Sequence, residues 1–125
     1  MRGRAFIAIA ITAGMATGCA DRPAETRAAL PSRQMLDRGA VALHEYGCGS
    51  CHRIPGIASA DGIVGPPLVD MGRRVYIARG LPNTAQNMAR WIQTPQQFAP
   101  GSAMPDMQVT GSDAMAMSAY LLRRD

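Results

Sequence analysis

The stretch GCGSCHR, Gly47–Arg53, places two cysteines two residues apart and a histidine directly after the second cysteine. Three kinds of site use this spacing: a redox-active dithiol, one half of a zinc site and the attachment point of a c-type haem. A redox dithiol lies where a strand leads into a helix, and a structural zinc ion needs four ligands, usually from two clusters. The neighbouring sequence therefore decides which site the motif indicates.

Apolar residues on both sides of the motif recur with helical spacing and predict three main helices. The first begins near Ser32 and runs into the cysteine motif. The second begins at Asn83 or Thr84 and is stopped by Pro95, and the third begins within Thr110–Asp113. The long connections are rich in glycine and proline and show no convincing strand pattern. We therefore predict an all-α domain whose loops wrap around something other than side chains.

This prediction separates the three interpretations of the motif. The missing strands argue against a redox dithiol, and zinc lacks ligands because His44 is the only other histidine besides His52. Haem attachment explains the spacing, since each thiol adds across one vinyl group of the porphyrin and the adjacent His52 then lies under the iron. His44 is a poor second ligand, because it lies four residues before Cys48 on the same predicted helix.

The stretch PGSAMPDM, residues 100–107, offers a second axial ligand. A methionine thioether on haem iron raises the reduction potential and suits electron transfer. Met104 is preferred because Pro100 and Pro105 bracket it and stiffen its loop. Met107, three residues further along, competes with it.

The N-terminal residues 1–18 predict a secretory signal peptide. Arg2 and Arg4 form a basic start, and the apolar run after them is shorter than the about 20 residues of a transmembrane helix. Cys19 follows, at a junction that resembles the lipidation site of bacterial lipoproteins, although Ala16 stands where a leucine is usual. A plain signal peptide cut further along is the alternative. We expect export and a lipid anchor on Cys19 at the periplasmic face of a bacterial membrane.

The rest of the chain is expected to form a lipid-anchored or flexible tether over residues 19–31 and one domain over residues 32–125. All 13 basic residues are arginine, and without the predicted signal peptide eleven remain against nine acids. This balance is too weak to indicate a nucleic acid partner. With Cys19 lipidated, the odd third cysteine is accounted for, and one cysteine pair remains.

The segments GCGSCH, VGPPL, WIQTPQQFAPGSAMP and SAYLLR occur in this order, and with them the chain resembles the class I c-type cytochromes over Ala40–Arg123. It is most similar to small bacterial monohaem members and to the cytochrome domain fused to some terminal oxidase second subunits. The resemblance implies a cytochrome c fold, in which three main helices and long loops surround one covalently attached haem c.

The resemblance also implies roles for individual residues, none of them catalytic. The two cysteines hold the haem through thioether bonds, the carbonyl of Pro66 accepts a hydrogen bond from the ligand histidine, and Arg73 or Arg74 lies near a propionate. Leu68 lines the pocket, and Trp91 lies over the methionine-side face. The expected cofactor-binding residues are Cys48, Cys51, His52, Pro66, Leu68, Arg73, Trp91 and Met104, of which His52 and Met104 bind the iron.

The implied function is single-electron transfer in a respiratory or dehydrogenase-linked chain. Expected partners are membrane-bound or periplasmic redox proteins: a terminal oxidase, a dehydrogenase or a quinol-oxidising complex. Two alternatives remain: a haem enzyme or sensor whose methionine ligand is displaced, and a dedicated cytochrome subunit of an oxidase or dehydrogenase complex. The chain has no lysine, unlike mitochondrial-type members, so its docking surface must use arginine or be mostly apolar.

Overall fold

The computed structural model describes residues 30–123. The predicted signal peptide, Cys19 and all but the last two residues of the predicted tether lie outside the described residues. Within residues 30–123, no helix combines the length and the apolar character needed to cross a membrane.

The described residues form four α-helices and very little strand, which confirms the all-α prediction. The helices are α1 (Arg33–Glu45), α2 (Ala85–Gln93), α3 (Pro95–Phe98) and α4 (Gly111–Leu122). The long connection between α1 and α2 contains two 3-10 turns, Cys48–Ser50 and Met71–Arg73, and two antiparallel strands, β1 (Tyr76–Ile77) and β2 (Leu81–Pro82). The three main helices of the sequence prediction are α1, α2 and α4.

The three main helices begin where the sequence predicts. Ser32, Thr84 and Thr110 are the N-caps, and the side-chain hydroxyl of each accepts a hydrogen bond from the backbone N–H three residues further along, at 3.1–3.2 Å. Each hydroxyl thus satisfies a donor that the first helical turn leaves without a partner. The starts of the helices are therefore specified locally, before any tertiary contact is made.

Strands β1 and β2 and the short helix α3 were not predicted. Strands β1 and β2 are two residues long, too short for an alternating pattern to be recognised in the sequence. Pro95 does end α2, but it also occupies the first turn of α3, where its missing N–H costs nothing. Thr94 is at once the C-cap of α2 and the N-cap of α3, so the chain turns sharply at this residue.

The packing of α1 against α4 depends on a glycine. A Cβ atom on Gly39 would overlap the backbone carbonyl of Ala116 and lie 2.9 Å from Cβ of Tyr120. Only glycine therefore allows the two helix backbones to approach this closely. Leu43, one turn further along α1, is 2% exposed and belongs to the core that α1 and α4 share with α2.

A polar contact fixes the same pair of helices at the N-terminus of α4. Arg38 donates through Nε and Nη2 to Oδ1 of Asp113 at 2.9 and 2.8 Å, and the Tyr46 hydroxyl donates to Oδ2 at 3.2 Å. The hydrogen bond from the Thr110 hydroxyl and those from Arg38 lower the pKa of Asp113. The carboxylate is also placed well for the positive end of the α4 dipole.

We expect Gly39→Ala to lower the free energy of unfolding by about 1–3 kcal/mol, the usual cost of overpacking. In a domain of this size, each kcal/mol lowers the melting temperature by about 4–8 °C. The matched control is Gly111→Ala, because a Cβ atom there would meet nothing closer than Nε2 of Gln93 at 3.8 Å. Equal thermal melts for the two variants would contradict the close approach at Gly39.

We expect the stability difference between the wild type and Asp113→Asn to depend on pH. Since the pKa of Asp113 is lower in the folded state than the ordinary value, its stabilisation is complete above the unfolded-state pKa of about 3.9. It is lost as the pH falls through the folded-state pKa. Thermal melts of the two proteins should therefore differ at pH 7 and converge below about pH 4, whereas a difference that is independent of pH would refute this role of the carboxylate.

Candidate functional site

The cysteine motif forms one tight turn directly after α1. Gly47 ends α1 with φ of +68°, a left-handed conformation that favours glycine. The backbone N–H groups of Cys51 and His52 then both donate to the carbonyl of Cys48, at 3.3 and 3.0 Å. Both cysteines and His52 line one cavity of about 500 Å³.

This cavity gathers most of the residues that the sequence singled out. Its volume lies within the about 300–1,000 Å³ typical of pockets for small molecules and cofactors. The predicted site residues that line it are Cys48, Cys51, His52, Pro66, Leu68, Trp91 and Met104. The same wall includes core residues from all three main helices, namely Leu43, Met88, Ile92, Met117 and Leu121.

The His52 ring has a fixed orientation. Its Nδ1 lies 2.8 Å from the carbonyl oxygen of Pro66, and because a carbonyl only accepts, Nδ1 carries the proton and donates it. In the neutral ring Nε2 then keeps its lone pair, which is the form of imidazole that binds a metal. The acceptor loop is itself anchored, since Gly65 N–H donates to the Cys51 carbonyl at 2.7 Å and Leu68 N–H to the Arg53 carbonyl at 2.9 Å.

Gly65 makes room for this ring. A Cβ atom at residue 65 would lie 2.6 Å from Nδ1 and 2.9 Å from Nε2 of His52. In the segment VGPPL the sequence predicted a role for Pro66 but none for this glycine. The sequence sign of this role was that Gly65 directly precedes Pro66, whose carbonyl must come close to the His52 ring.

The two thiols are free and are not joined to each other. Burial raises the pKa of the Cys48 thiol, so this thiol stays protonated. Catalytic dithiols show the opposite shift, because a lowered pKa produces the nucleophilic thiolate. Among residues 30–123, moreover, no group of three or more His, Cys, Asp or Glu side chains is arranged to hold a metal ion. Neither the dithiol nor the zinc interpretation gains support.

The structure distinguishes between the two candidate arginines. Arg74, not Arg73, lines the cavity, and its Nη2 donates to the carbonyls of Pro67 and Val69 at 2.9 and 3.2 Å. The Arg73 side chain is 74% exposed and lies 3.8 Å from Asp70. Of the two arginines that the sequence left open, Arg74 therefore lies at the cavity wall, and the contact of either one with a propionate stays a prediction. In a 3-10 turn adjacent side chains point about 120° apart, so a one-residue difference in alignment changes which arginine meets the cavity, and sequence spacing does not resolve it.

Asn83 supports the segment that carries Arg74, a role that was not predicted from the sequence. Its Nδ2 donates to the carbonyls of Met71 and Arg74 at 2.7 and 2.8 Å. Its backbone N–H donates to the Val75 carbonyl at 2.9 Å. The residue directly before the α2 cap thus fixes one wall of the cavity.

Both candidate methionines lie at the cavity. Met104 and Met107 line it, but Met107 is 42% exposed whereas Met104 is only partly exposed. The cavity therefore presents cysteine and histidine side chains from the motif together with a thioether from the loop after α3.

Comparison with known proteins identifies the relatives of this chain. The sequence model of the Cytochrome c family matches residues 36–125. The chain is also 32% identical to cytochrome c oxidase subunit 2 of Alkalihalophilus pseudofirmus over 92 residues, which is 73% of this chain and 26% of that protein. The chain thus spans about a quarter of the length of this curated relative.

We expect Gly65→Ala to displace the His52 ring and to break its hydrogen bond to Pro66, because the new methyl group and the ring would occupy the same space. The fraction of purified chains that carry haem, measured by haem absorbance per chain after co-expression with haem-attachment enzymes, should fall severalfold. Gly111→Ala is the matched control and should stay at the wild-type fraction. An unchanged fraction in Gly65→Ala would mean that this glycine does not set the place of the ring.

Proposed function

The chain belongs to the cytochrome c family, whose members transfer electrons with haem c, and we propose that it carries single electrons through an iron bound by His52 and Met104. The observation that carries this proposal is the shared cavity: two thiols, one imidazole and one thioether line the same space, together with the apolar core.

The residues fit a single haem c. The sequence contains one pair of cysteines at the required spacing with a histidine directly after it, so we propose one haem attached to Cys48 and Cys51. Leu68 and Trp91 add apolar surface to the cavity wall, and the aliphatic core continues it. Arg74 is a cation at the same wall and suits a propionate, in place of Arg73.

The protein residues would set the electronic properties of this site. When bound there, haem c supplies a one-electron couple of its iron. The Nδ1–H donation from His52 to Pro66 makes the imidazole a more basic ligand, and the Met104 thioether raises the reduction potential. The proposed function needs no catalytic acid, base or nucleophile, so we propose an electron-transfer protein and not an enzyme in its own right.

We further propose that its partner is a membrane-bound terminal oxidase, either as a free carrier or as a dedicated subunit. The support is the similarity to a cytochrome c oxidase subunit 2. A lipid anchor on Cys19 at the periplasmic face would keep the domain near such a partner and raise its effective concentration. Dehydrogenases and quinol-oxidising complexes remain candidate donors.

The edge of the cavity suits an apolar contact with this partner. Val64 and Tyr76 line the cavity and are 73% and 61% exposed, and Ile63, next to Val64, is 93% exposed. The sequence left an arginine-based or a mostly apolar docking surface open. These side chains favour the apolar one.

We expect Met104→Ala to abolish the weak sulfur-to-iron charge-transfer band of the oxidised protein, because the iron loses its thioether ligand. The reduction potential should also fall, within the about 0.8 V range over which axial ligands set haem potentials. Met107→Ala is the matched control, since it removes a methionine from the same cavity and should leave the band and the potential in place. Visible spectroscopy and a redox titration measure both properties.

Two other results would change the assignment. Loss of the band in Met107→Ala alone would make Met107 the ligand. A high-spin wild-type spectrum with rapid binding of CO or cyanide would favour the haem enzyme or sensor, in which the methionine gives way to a small molecule.

A further inference from the structure

The side chain of Gln96, in the short helix α3, makes all its hydrogen bonds to the loop of residues 101–104. Its Nε2 donates to the carbonyls of Ser102 and Met104 at 2.8 and 3.0 Å, and its Oε1 accepts from Gly101 N–H at 3.0 Å. These partners fix the orientation of the amide, because two are acceptors and one is a donor. One side chain thus binds the loop at three points across residues 101–104.

The backbone of Met104 depends on side chains for its position. Its N–H donates to the Ser102 hydroxyl at 3.2 Å, and its carbonyl accepts from Gln96. The residue belongs to no helix or strand, so no regular backbone ladder holds it. Ser102 itself is tied back to α3, because its N–H donates to the Ala99 carbonyl at 3.0 Å.

Gln96 is in turn mounted on a firm support. Pro95, the residue before it, is among the most deeply buried side chains of the described part of the chain. The Thr94 hydroxyl donates to the Arg90 carbonyl at 3.0 Å, which joins α3 directly to α2. The guanidinium of Arg90 also stacks over the Phe98 ring, 5.2 Å from its centre. Gln96 thus acts as a clamp on the loop of residues 101–104, and this clamp is attached through α3 to α2, a helix of the core.

We propose that Gln96 is the positioning residue that retains Met104 on the haem iron; this rests on the proposed function, in which Met104 is the ligand. A thioether is a weak ligand. Whenever the methionine sulfur leaves the iron, an external ligand can bind in its place. By holding the backbone of Met104 in place, Gln96 lowers the entropy lost each time the sulfur binds again. It contacts no reacting atom and acts only through the loop.

The decisive variant is Gln96→Glu in the full haem-loaded protein. The carboxylate keeps the size of the side chain and the acceptor for Gly101 N–H but loses both donors, and it faces the carbonyls of Ser102 and Met104. Gln97→Glu is the matched control: it makes the same charge change on the next residue of α3, whose side chain makes no hydrogen bond in the described structure.

The measurement is the affinity of the oxidised protein for imidazole, which displaces the methionine. The titration is monitored by the loss of the charge-transfer band. We expect Gln96→Glu to bind imidazole about tenfold more tightly than the wild type, the combined effect of losing two hydrogen bonds of modest net strength. Gln97→Glu should bind it as the wild type does. A thermal melt of each variant, saturated with imidazole, separates this effect from a general loss of stability, because a positioning role leaves these melts similar.

The possible outcomes are distinguishable. Equal imidazole affinities for the wild type, Gln96→Glu and Gln97→Glu, in a protein whose band is lost in Met104→Ala, would overturn the role of Gln96 and leave the proposed function intact. A wild-type spectrum that Met104→Ala does not change would refute the ligand assignment itself. If Gln96→Glu yields too little haem protein, Gln96→Ala, which introduces no charge, is titrated in its place and must show the same tighter binding.

Discussion

The structure depends on a set of apolar side chains that form the helical core and one wall of the cavity at the same time. Leu43, Met88, Ile92, Met117 and Leu121 pack α1, α2 and α4 together, and the same side chains face the cavity. A flat apolar group bound there extends the core of a small domain that contains few aromatic residues. Apolar surface removed from water there would contribute about 25 cal/mol per Å² to the marginal stability of such a domain. We therefore expect the folding of this chain to depend on the bound cofactor.

Two glycines, Gly39 and Gly65, allow close approaches of the backbone that position the cavity wall. Gly39 lets α1 cross α4 in contact, which fixes the direction in which α1 delivers Gly47 and the cysteine turn. Gly65 lets the loop pass beside the His52 ring, so that the Pro66 carbonyl meets Nδ1. Neither glycine has a side chain that could line the site. Each allows a backbone to come nearer than a Cβ atom permits, and together they determine where the imidazole is presented to the cavity.

The sequence predicted those features that are encoded within a few residues. The helix starts were recognisable because Ser32, Thr84 and Thr110 act through their own hydroxyls on the next turn, and the cysteine motif states its chemistry by its spacing. Features that arise between distant segments were not predictable in this way. The direction of Arg74, rather than Arg73, depends on where the carbonyls of Pro67 and Val69 lie, and β1 and β2 are too short to leave a pattern. The role of Gln96 is of the same kind, since an exposed glutamine in TPQQF has no local sign of its three partners.

The two proposed iron ligands are held in unequal ways, and this inequality bears on the choice between an electron carrier and a ligand-binding haem protein. His52 lies in the same turn as the two cysteines, and its ring is fixed by Pro66 on a loop that is bonded back to that turn. Met104 lies in a loop without regular structure, and its two backbone groups are held only by the side chains of Gln96 and Ser102. Any exchange of ligand would therefore begin on the methionine side. On the proposed ligation by His52 and Met104, an intact set of these hydrogen bonds would keep both axial positions filled, and a weakened set would admit small molecules. On this proposal, a carrier and a sensor built on this fold would differ in the strength of a few hydrogen bonds around residues 101–104 and not in their architecture.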